Sequence, residues 1–412
     1  MPKLEATTEL STARTRTRLR GLLYLVCVFT DFTHFILVFT VTRRLAEAHA
    51  EPWFLGVMGA GLSFAAAVAS LAAGWLGTRG HARAVFIWGA AAIVVSVAAC
   101  LAVDADSAWF LPCYWLSGIG LGLTYPPLIG WLNQGDDPHG NRAGVSRRLI
   151  IFCVAWNAGM MSGQLTGGSL YRQGTVWALG VALAGGLINL AVVFVGATRA
   201  ARIPAVVPDA ASQPHALAAI ASAYKRLGWI ANLGGVFGAS LVIHLLPDVI
   251  ASLDIPAAAH GRLLAGWRGV VIATYLLMHC LGFWHYRMSV SLASQVLGAV
   301  GLVVIARADS AAILLVGLAL QGQLVGFNYF SGLYYSTAGS SDEGRTLAAG
   351  IHEATLATGM AVGTIVGGVF GSLINHRLPY LLAAGVIVIL IIAQSIAWRR
   401  WVRPLEFRRA PI

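Results

Sequence analysis

Residues 21–41 read GLLYLVCVFTDFTHFILVFTV, an apolar run with one acid at its centre, Asp31. A run of about 20 apolar residues is long enough to cross a bilayer as a helix. Comparable runs recur along the 412 residues, of which 58% are hydrophobic and only 11% charged, whereas soluble domains carry about 25% charged residues. The composition therefore predicts a polytopic membrane protein and excludes a soluble enzyme built on a Rossmann or barrel scaffold.

Apolar runs bounded by charged or turn-rich segments predict twelve membrane spans. Backbone groups in hydrocarbon must bond within the protein, and runs of this length do so as helices, so the predicted fold class is all-α. The predicted spans cover residues 21–41, 53–77, 84–103, 108–132, 148–170, 174–197, 227–247, 263–284, 288–306, 309–336, 347–374 and 378–398.

The distribution of basic residues predicts the orientation. Most of the 28 Lys and Arg lie in the tails, the central linker and the loops after the second and fourth spans. The positive-inside rule then places both termini in the cytoplasm, with the chain in a bacterial-type inner membrane. The net charge of +11 is thus a topology signal, and no nucleic-acid partner is expected. The N-terminal segment also resembles a secretory signal, but its apolar run is too long for one and contains Asp31 and His34.

An internal repeat divides the chain. The pattern A-G-M-x-x-G-x-x-x-G-G at 158–168 returns as T-G-M-x-x-G-x-x-x-G-G at 358–368, 200 residues later. Two shorter matches keep nearly the same offset: GLTY (122–125) with GFNY (326–329), and GWLGTR (74–79) with GFWHYR (282–287). We therefore predict two pseudo-symmetric six-helix halves, residues 1–198 and 226–412, joined by a cytoplasmic linker at 199–225.

Glycines recur every fourth residue within this repeat and share one helix face. Such faces allow close approach of two membrane helices, so a packing role is favoured over contact with a ligand. The predicted packing glycines are Gly159, Gly163, Gly167, Gly359, Gly363 and Gly367.

Size, span number and duplication resemble the major facilitator superfamily of transporters. The segment GWLGTRGHAR at 74–83 is similar to that family's loop motif G-x-L-x-D-R-x-G-R-R, with Thr78 in place of the Asp. The resemblance implies alternating access and a gate that includes Arg79 and Arg83. It also implies a cavity lined by spans 1, 4, 5, 7, 8, 10 and 11, with the glycine faces between the halves. GQLTGG at 163–168 is similar to the antiporter signature G-P-x-x-G-G, with Gln164 in place of Pro.

Asp31 is the strongest candidate for proton coupling. An ionisable group at mid-membrane costs roughly 2.5–3.5 kcal/mol, so it usually faces a cavity or a partner. His34 follows one turn later on the same helix face, and the local D-F-T resembles the first-span D-x-T of proton-driven drug exporters. We predict that Asp31 binds the coupling proton with His34 as its partner or relay. A structural Asp–His pair is the alternative.

Other polar residues in the spans share helix faces. Arg268 lies on one face with Tyr275 and His279 and needs an anionic partner. That partner is either a substrate group or one of the carboxylates Asp31, Asp248 and Glu353. The predicted substrate-cavity residues are Tyr125, Asn157, Gln164, Arg268, Tyr275, Gln321, Asn328 and Tyr329.

His352 and Glu353 stand at the start of the eleventh span, near the predicted cytoplasmic mouth. A gating ion pair of Glu353 with Arg345 or Arg148 is favoured, and a second proton site is the alternative. His244 and Trp156 are interpreted as core or interfacial residues.

These features predict a secondary active transporter that moves a small polar or amphipathic solute, coupled to protons. No Walker sequence, nucleophile elbow or metal-ligand spacing is present, and the five Cys are scattered, so we expect a monomer in lipid with no enzymatic activity, cofactor or metal. The alternatives are a uniporter or facilitator, a non-transporting membrane receptor, and a multipass membrane enzyme.

Overall fold

The computed structural model describes residues 2–132 apart from 106 and 108, and residues 142–200, 215–338 and 345–407. These residues are helical almost throughout, so the all-α prediction is confirmed. The α-helices are α1 (Pro2–Glu47), α2 (Pro52–Thr78), α3 (Ala82–Ala102), α4 (Phe110–Leu132), α5 (Arg142–Leu170), α6 (Thr175–Ala200), α7 (His215–His244), α8 (Leu246–Ser252), α9 (Ala257–Cys280), α10 (Met288–Arg307), α11 (Ala311–Ala338), α12 (Arg345–Leu373), α13 (Leu378–Trp401) and α14 (Arg403–Phe407).

Eleven of these helices are long and apolar enough to cross a membrane in the described part of the chain. The remaining predicted span is α4, whose 23 residues reach about 35 Å. Its hydropathy is lowered by Gly, Tyr and Trp and by two internal prolines, Pro126 and Pro127. Because α4 packs between α2 and α3, neighbouring helices cover it and it needs less apolar surface of its own.

Two features of the second half differ from the predicted spans. The eighth span was expected to reach residue 284, but α9 ends at Cys280 and a 3-10 turn follows at Gly282–Trp284. The short helix α8 was not predicted; Pro247 lies in its first turn, and α8 packs against both α7 and α1. We call the end of the bundle that carries both chain termini the terminal end, and the end with α8 the opposite end.

The packing order is the same in both predicted halves. Helix α5 packs on α1, and its repeat counterpart α12 packs on α7; α3 pairs with α4, and α10 pairs with α11. Contacts between the halves are also reciprocal, since α2 packs along α12 while α9 packs along α5. The division into two halves stays a prediction. Two halves related by pseudo-symmetry would pack in this reciprocal way.

The repeat glycines act in packing, but most of them do not lie between the halves. A Cβ added at Gly163 would come within 2.6 Å of the Phe32 carbonyl oxygen on α1, and one at Gly363 within 2.7 Å of the Phe237 carbonyl oxygen on α7. Both contacts stay inside one predicted half, and Gly159, Gly167, Gly359 and Gly367 follow the same pattern. The expectation that this face separates the halves is therefore wrong for these six positions.

The glycine one residue further along makes the contact between the halves. Gly168 on α5 faces Gly261 on α9, and Gly368 on α12 faces Gly56 on α2. One helix turn holds about 3.6 residues, so adjacent residues point in directions about 100° apart. In each G-G pair, the first glycine (Gly167 or Gly367) therefore contacts a helix of its own predicted half. The second glycine (Gly168 or Gly368) contacts a helix of the other half.

An ion pair at the opposite end gives a first prediction. His376 Nδ1 lies 3.6 Å from Asp248 Oδ2, yet burial raises the pKa of Asp248 more than the nearby His376 and His49 lower it. A carboxyl whose pKa is raised by folding costs stability when ionised, and stability is gained as the pH falls through its range. We expect Asp248→Asn to keep or raise the melting temperature near neutral pH. A lower melting temperature would show that the pair with His376 outweighs the burial.

Candidate functional site: a central cavity with two acids

A central cavity lies where the two predicted halves meet, and it encloses about 920 Å³ of space between atoms, its open side included. It is lined by α1, α2, α4 and α5 from the first half and by α7, α11 and α12 from the second. Helix α2 lines it and α9 does not, which corrects the list of lining spans that the family resemblance implied. Its polar side chains are Asp31, His34, Ser63, Ser70, Tyr125, Asn232, His244, Asn328, Tyr329 and Glu353.

Asp31 lines this cavity and is only 1% exposed. The Tyr125 hydroxyl donates a hydrogen bond to Oδ2 of Asp31, and Trp156 Nε1 donates one to Oδ1 at 3.1 Å. Both carboxylate oxygens are therefore occupied by donors from α4 and α5. His34 lines the same cavity, but its Nδ1 has no hydrogen-bond partner among the described residues. The expected direct Asp31–His34 partnership is therefore absent, because the tyrosine and the tryptophan take its place.

Glu353 is the second acid of the cavity. The Tyr329 hydroxyl donates to its Oε1 at 3.2 Å. Glu353 also lines the cavity, whereas the sequence places it in a gate at the terminal end. Because α12 begins at Arg345, Glu353 lies two turns inside the helix, deeper than its place near the start of the predicted span suggested. The side chain of Arg345 is outside the described part of the structure. The predicted ion pair between Glu353 and Arg345 therefore also falls outside it.

The two acids are held by repeat-related tyrosines. Tyr125 and Tyr329 occupy the same position in the GLTY and GFNY matches, and each donates to one carboxylate. Trp156 joins the two groups, since its ring centroid lies 4.5 Å from that of Tyr329 while its indole N–H bonds Asp31. The acids themselves are not repeat-related, because Asp31 lies on the first helix of its half and Glu353 on the fifth of the other.

Arg268 lies beside the cavity and not in its lining. Its guanidinium stacks on Trp267 at 4.0 Å, lies 5.3 Å from the ring of Phe35, and donates from Nη1 to Asn157 Oδ1 at 3.5 Å. Within the described residues no carboxylate lies at ion-pair distance from it. The prediction that Arg268 lines the substrate cavity is therefore wrong: the arginine belongs to the contact between α5 and α9.

Several predicted cavity residues serve helix contacts instead. Asn157 Nδ2 donates to the Tyr275 hydroxyl at 3.3 Å, across α5 and α9. Gln321 accepts from Trp267 Nε1 at 2.6 Å. Gln164 is buried where α5 meets α9, and its Oε1 has no partner among the described residues. Helical spacing placed these residues on a common face, but the neighbour on that face is a helix and not the cavity. Asn328 does both: it lines the cavity and donates to the Ala231 carbonyl at 2.8 Å.

The predicted gate residues are spread out. Arg79 and Arg83 are exposed at the terminal end, and Arg79 stacks on Trp75 at 3.6 Å. His352 is buried beside Tyr329, with ring centroids 5.5 Å apart. His279, placed on the Arg268 face by its spacing, is exposed. The described residues therefore do not bring these side chains into one cluster.

Sequence reasoning missed Trp156, Asn232 and His244 as cavity residues. A lone Trp or His in an apolar span is ordinary, and only the position of Trp156 opposite Asp31 reveals its role. Asn232 is a stronger case, because an amide in a span needs partners, yet its Nδ2 and Oδ1 have none among the described residues. Unpaired polar atoms that border a cavity are suited to a bound molecule or water.

The fold defined by these helices is that of the major facilitator superfamily, as the sequence resemblance implied. A similar solved structure is that of the human organic anion transporter MFSD10 (TETRAN), with a TM-score of 0.67 and 16% sequence identity. The similarity covers 92% of this chain and 99% of that one. No protein-family model matches the sequence, and no curated protein matches it.

Proposed function

We propose that this protein is a proton-coupled secondary transporter of a small polar or amphipathic solute. The observation that carries the proposal is the central cavity between the two predicted halves, with Asp31 in its wall. Paired membrane repeats bind substrate near mid-membrane and expose the site to either side by rocking one repeat against the other. We call the reciprocal α2–α12 and α5–α9 contacts the two seams between the halves. These seams would open and close in this motion.

Asp31 is the proposed coupling site. An ionised carboxylate in this position is costly, and its donors Tyr125 and Trp156 are both neutral. Proton binding removes that charge, and substrate or a conformational change can shift the balance between the two forms. Asp31 contacts α4 and α5 through these bonds, so its protonation would alter contacts that hold α1 against the rest of its half.

A facilitator that moves solute without protons is the second candidate. It would use the same cavity and would need neither Asp31 nor Glu353 to titrate. A receptor or a membrane enzyme would bind a ligand here without moving it across the bilayer. Once a ligand has been found, its flux across the membrane, the dependence of that flux on a pH gradient, and its chemical conversion distinguish these alternatives.

The test begins with a thermal-shift screen of the purified protein against metabolite classes, since a ligand stabilises the folded state by mass action. A hit is then measured in proteoliposomes with and without an imposed pH gradient. Accumulation that follows the pH gradient supports the proposal. Equilibration that ignores the gradient supports a facilitator, binding without flux supports a receptor, and chemical conversion of the ligand supports an enzyme; each of these results contradicts the proposal.

A further inference from the structure

We propose that the solute is a monovalent organic cation, an ammonium group on an apolar body, and that Glu353 together with the ring of Trp156 binds its charge. This inference rests on the proposed transport function and names the substrate class of the same cavity. It differs from the sequence-based expectation that Arg268 fixes an anionic group on the substrate.

The two acids of the cavity are not equivalent. Asp31 is almost fully buried, and both of its oxygens accept hydrogen bonds. Glu353 is only partly buried, and its Oε2 has no hydrogen-bond partner among the described residues, while Tyr329 occupies Oε1. The free acceptor that faces the cavity is therefore on Glu353, which leaves Asp31 for the proton.

The surrounding rings favour a cation over a neutral donor. The ring centroids of Trp156 and Tyr329 lie 4.5 Å apart with the planes tilted by 35°, and those of Tyr125 and Trp156 lie 6.4 Å apart. Tyr329 also donates to Glu353, and all four side chains line the cavity. Aromatic faces attract ammonium groups, and Trp does so best. A carboxylate next to such faces binds an ammonium group by charge and by ring contact at once.

The charges around the cavity also disfavour an anion. Its lining contains Asp31 and Glu353 but no Lys or Arg in the described residues. The basic side chains of the lining are His34 and His244, which are neutral at about pH 8 as free side chains. Arg268 lies outside the lining, is 3% exposed, stacks on Trp267 and donates to Asn157. With Asp31 protonated, Glu353 is the one negative charge in the lining, and a single negative charge matches a monovalent cation.

The rest of the wall is apolar and suits a hydrocarbon or aromatic body. It includes Phe35, Val38, Leu62, Leu121, Val236 and Ile243. Pockets that combine such a wall with a few placed polar groups bind amphipathic molecules and fix their orientation through the polar end. The polar end here is the acid-and-ring group of Glu353, Tyr329 and Trp156.

The test compares three probes of equal size, 4-phenylbutylammonium, 4-phenylbutanol and 4-phenylbutyrate, by calorimetry on the purified full-length protein at about pH 8, where free histidine is neutral. We expect the ammonium probe to bind most tightly. Glu353→Gln should weaken it by about tenfold or more, because the ammonium group loses its charged partner, whereas Glu353→Asp should retain part of the binding. Asp309→Asn, which alters an exposed acid in a loop, should bind like the wild type.

Stronger binding of 4-phenylbutyrate or of the alcohol overturns the cation assignment, and so does the absence of binding by all three probes. Loss of binding in both Glu353 variants together with a lowered melting temperature would also overturn it, since the role would then be structural. Transport of an anion without cation binding contradicts this inference alone. Cation binding without flux in proteoliposomes contradicts the transport function and leaves the inference standing.

Discussion

Replacing Asp31 by Asn is expected to abolish proton-driven accumulation of the solute while solute exchange across the membrane continues. The amide keeps the size of the side chain and its contacts with Tyr125 and Trp156, but it cannot take up and release a proton at working pH. The variant therefore resembles the permanently neutral form of the acid. Exchange needs only the rocking of the loaded protein, so it does not require the proton.

The size of the effect follows from the driving force. A gradient of one pH unit is worth about 1.4 kcal/mol per proton, which supports roughly a tenfold accumulation. We expect wild-type proteoliposomes to approach this ratio with a solute identified by thermal shift, and the Asp31→Asn variant to stop at equal concentrations on the two sides. Counterflow of labelled solute, measured on the same vesicles, reports the exchange that should persist.

Asp309→Asn is the matched control, because it makes the same chemical change at an exposed position remote from the cavity. It should accumulate solute like the wild type. Unchanged pH-driven accumulation in Asp31→Asn would contradict the proton role of Asp31. In that case Glu353→Gln decides whether the second acid carries the proton instead.

The fold was predictable because the bilayer constrains the sequence strongly. Apolar runs of span length, the placement of basic residues and the repeat at 158–168 and 358–368 are all properties of composition and order. The same constraint made Asp31 stand out, since an acid is costly in hydrocarbon. Tyr125 and Tyr329 were also found, through their shared position in the repeat, and the structure places both beside acids.

The partners of these residues were not predictable in the same way. Helical spacing tells which residues share a face, but it does not tell which helix or cavity that face meets. Arg268, Asn157 and Tyr275 share such faces and turn out to join α9 to α5. Glu353 was placed at the mouth because the predicted span began at 347, whereas α12 begins at Arg345, about half a turn earlier. Boundary errors of a few residues are common in sequence-based assignments, and here one such error moved a cavity acid to a gate.

The glycines that face each other across the two halves lead to the second large prediction. A Cβ at Gly368 would lie 2.7 Å from the Pro52 carbonyl oxygen and 2.8 Å from the Gly56 Cα. Both obstacles are backbone atoms, so the helices α2 and α12 would have to separate at the opposite end. Overpacking of this kind costs roughly 1–3 kcal/mol. We expect Gly368→Ala to disfavour the state in which this end is closed and to reduce transport about tenfold.

The measurement is the distance between spin labels at the exposed positions 53 and 374, near the α2–α12 seam at the opposite end, in a background without native Cys. Gly368→Ala should lengthen the mean distance and slow transport. Gly385→Ala is the matched control, because nothing lies within 4 Å of a Cβ at that glycine.

Gly363→Ala separates a loss of packing from a shift between conformations. Its Cβ would meet the Phe237 carbonyl oxygen at 2.7 Å on α7, within one predicted half, so it should lower the melting temperature without lengthening the distance between positions 53 and 374. Both substitutions add a methyl group 2.7 Å from a backbone carbonyl oxygen, and Gly363→Ala also meets the Ser240 Oγ on α7. They displace different neighbours, α2 of the other predicted half for Gly368 and α7 of the same half for Gly363. If both lengthened the distance equally, the seam between α2 and α12 would not be the moving contact, and rocking of residues 1–198 against 226–412 would have to be abandoned.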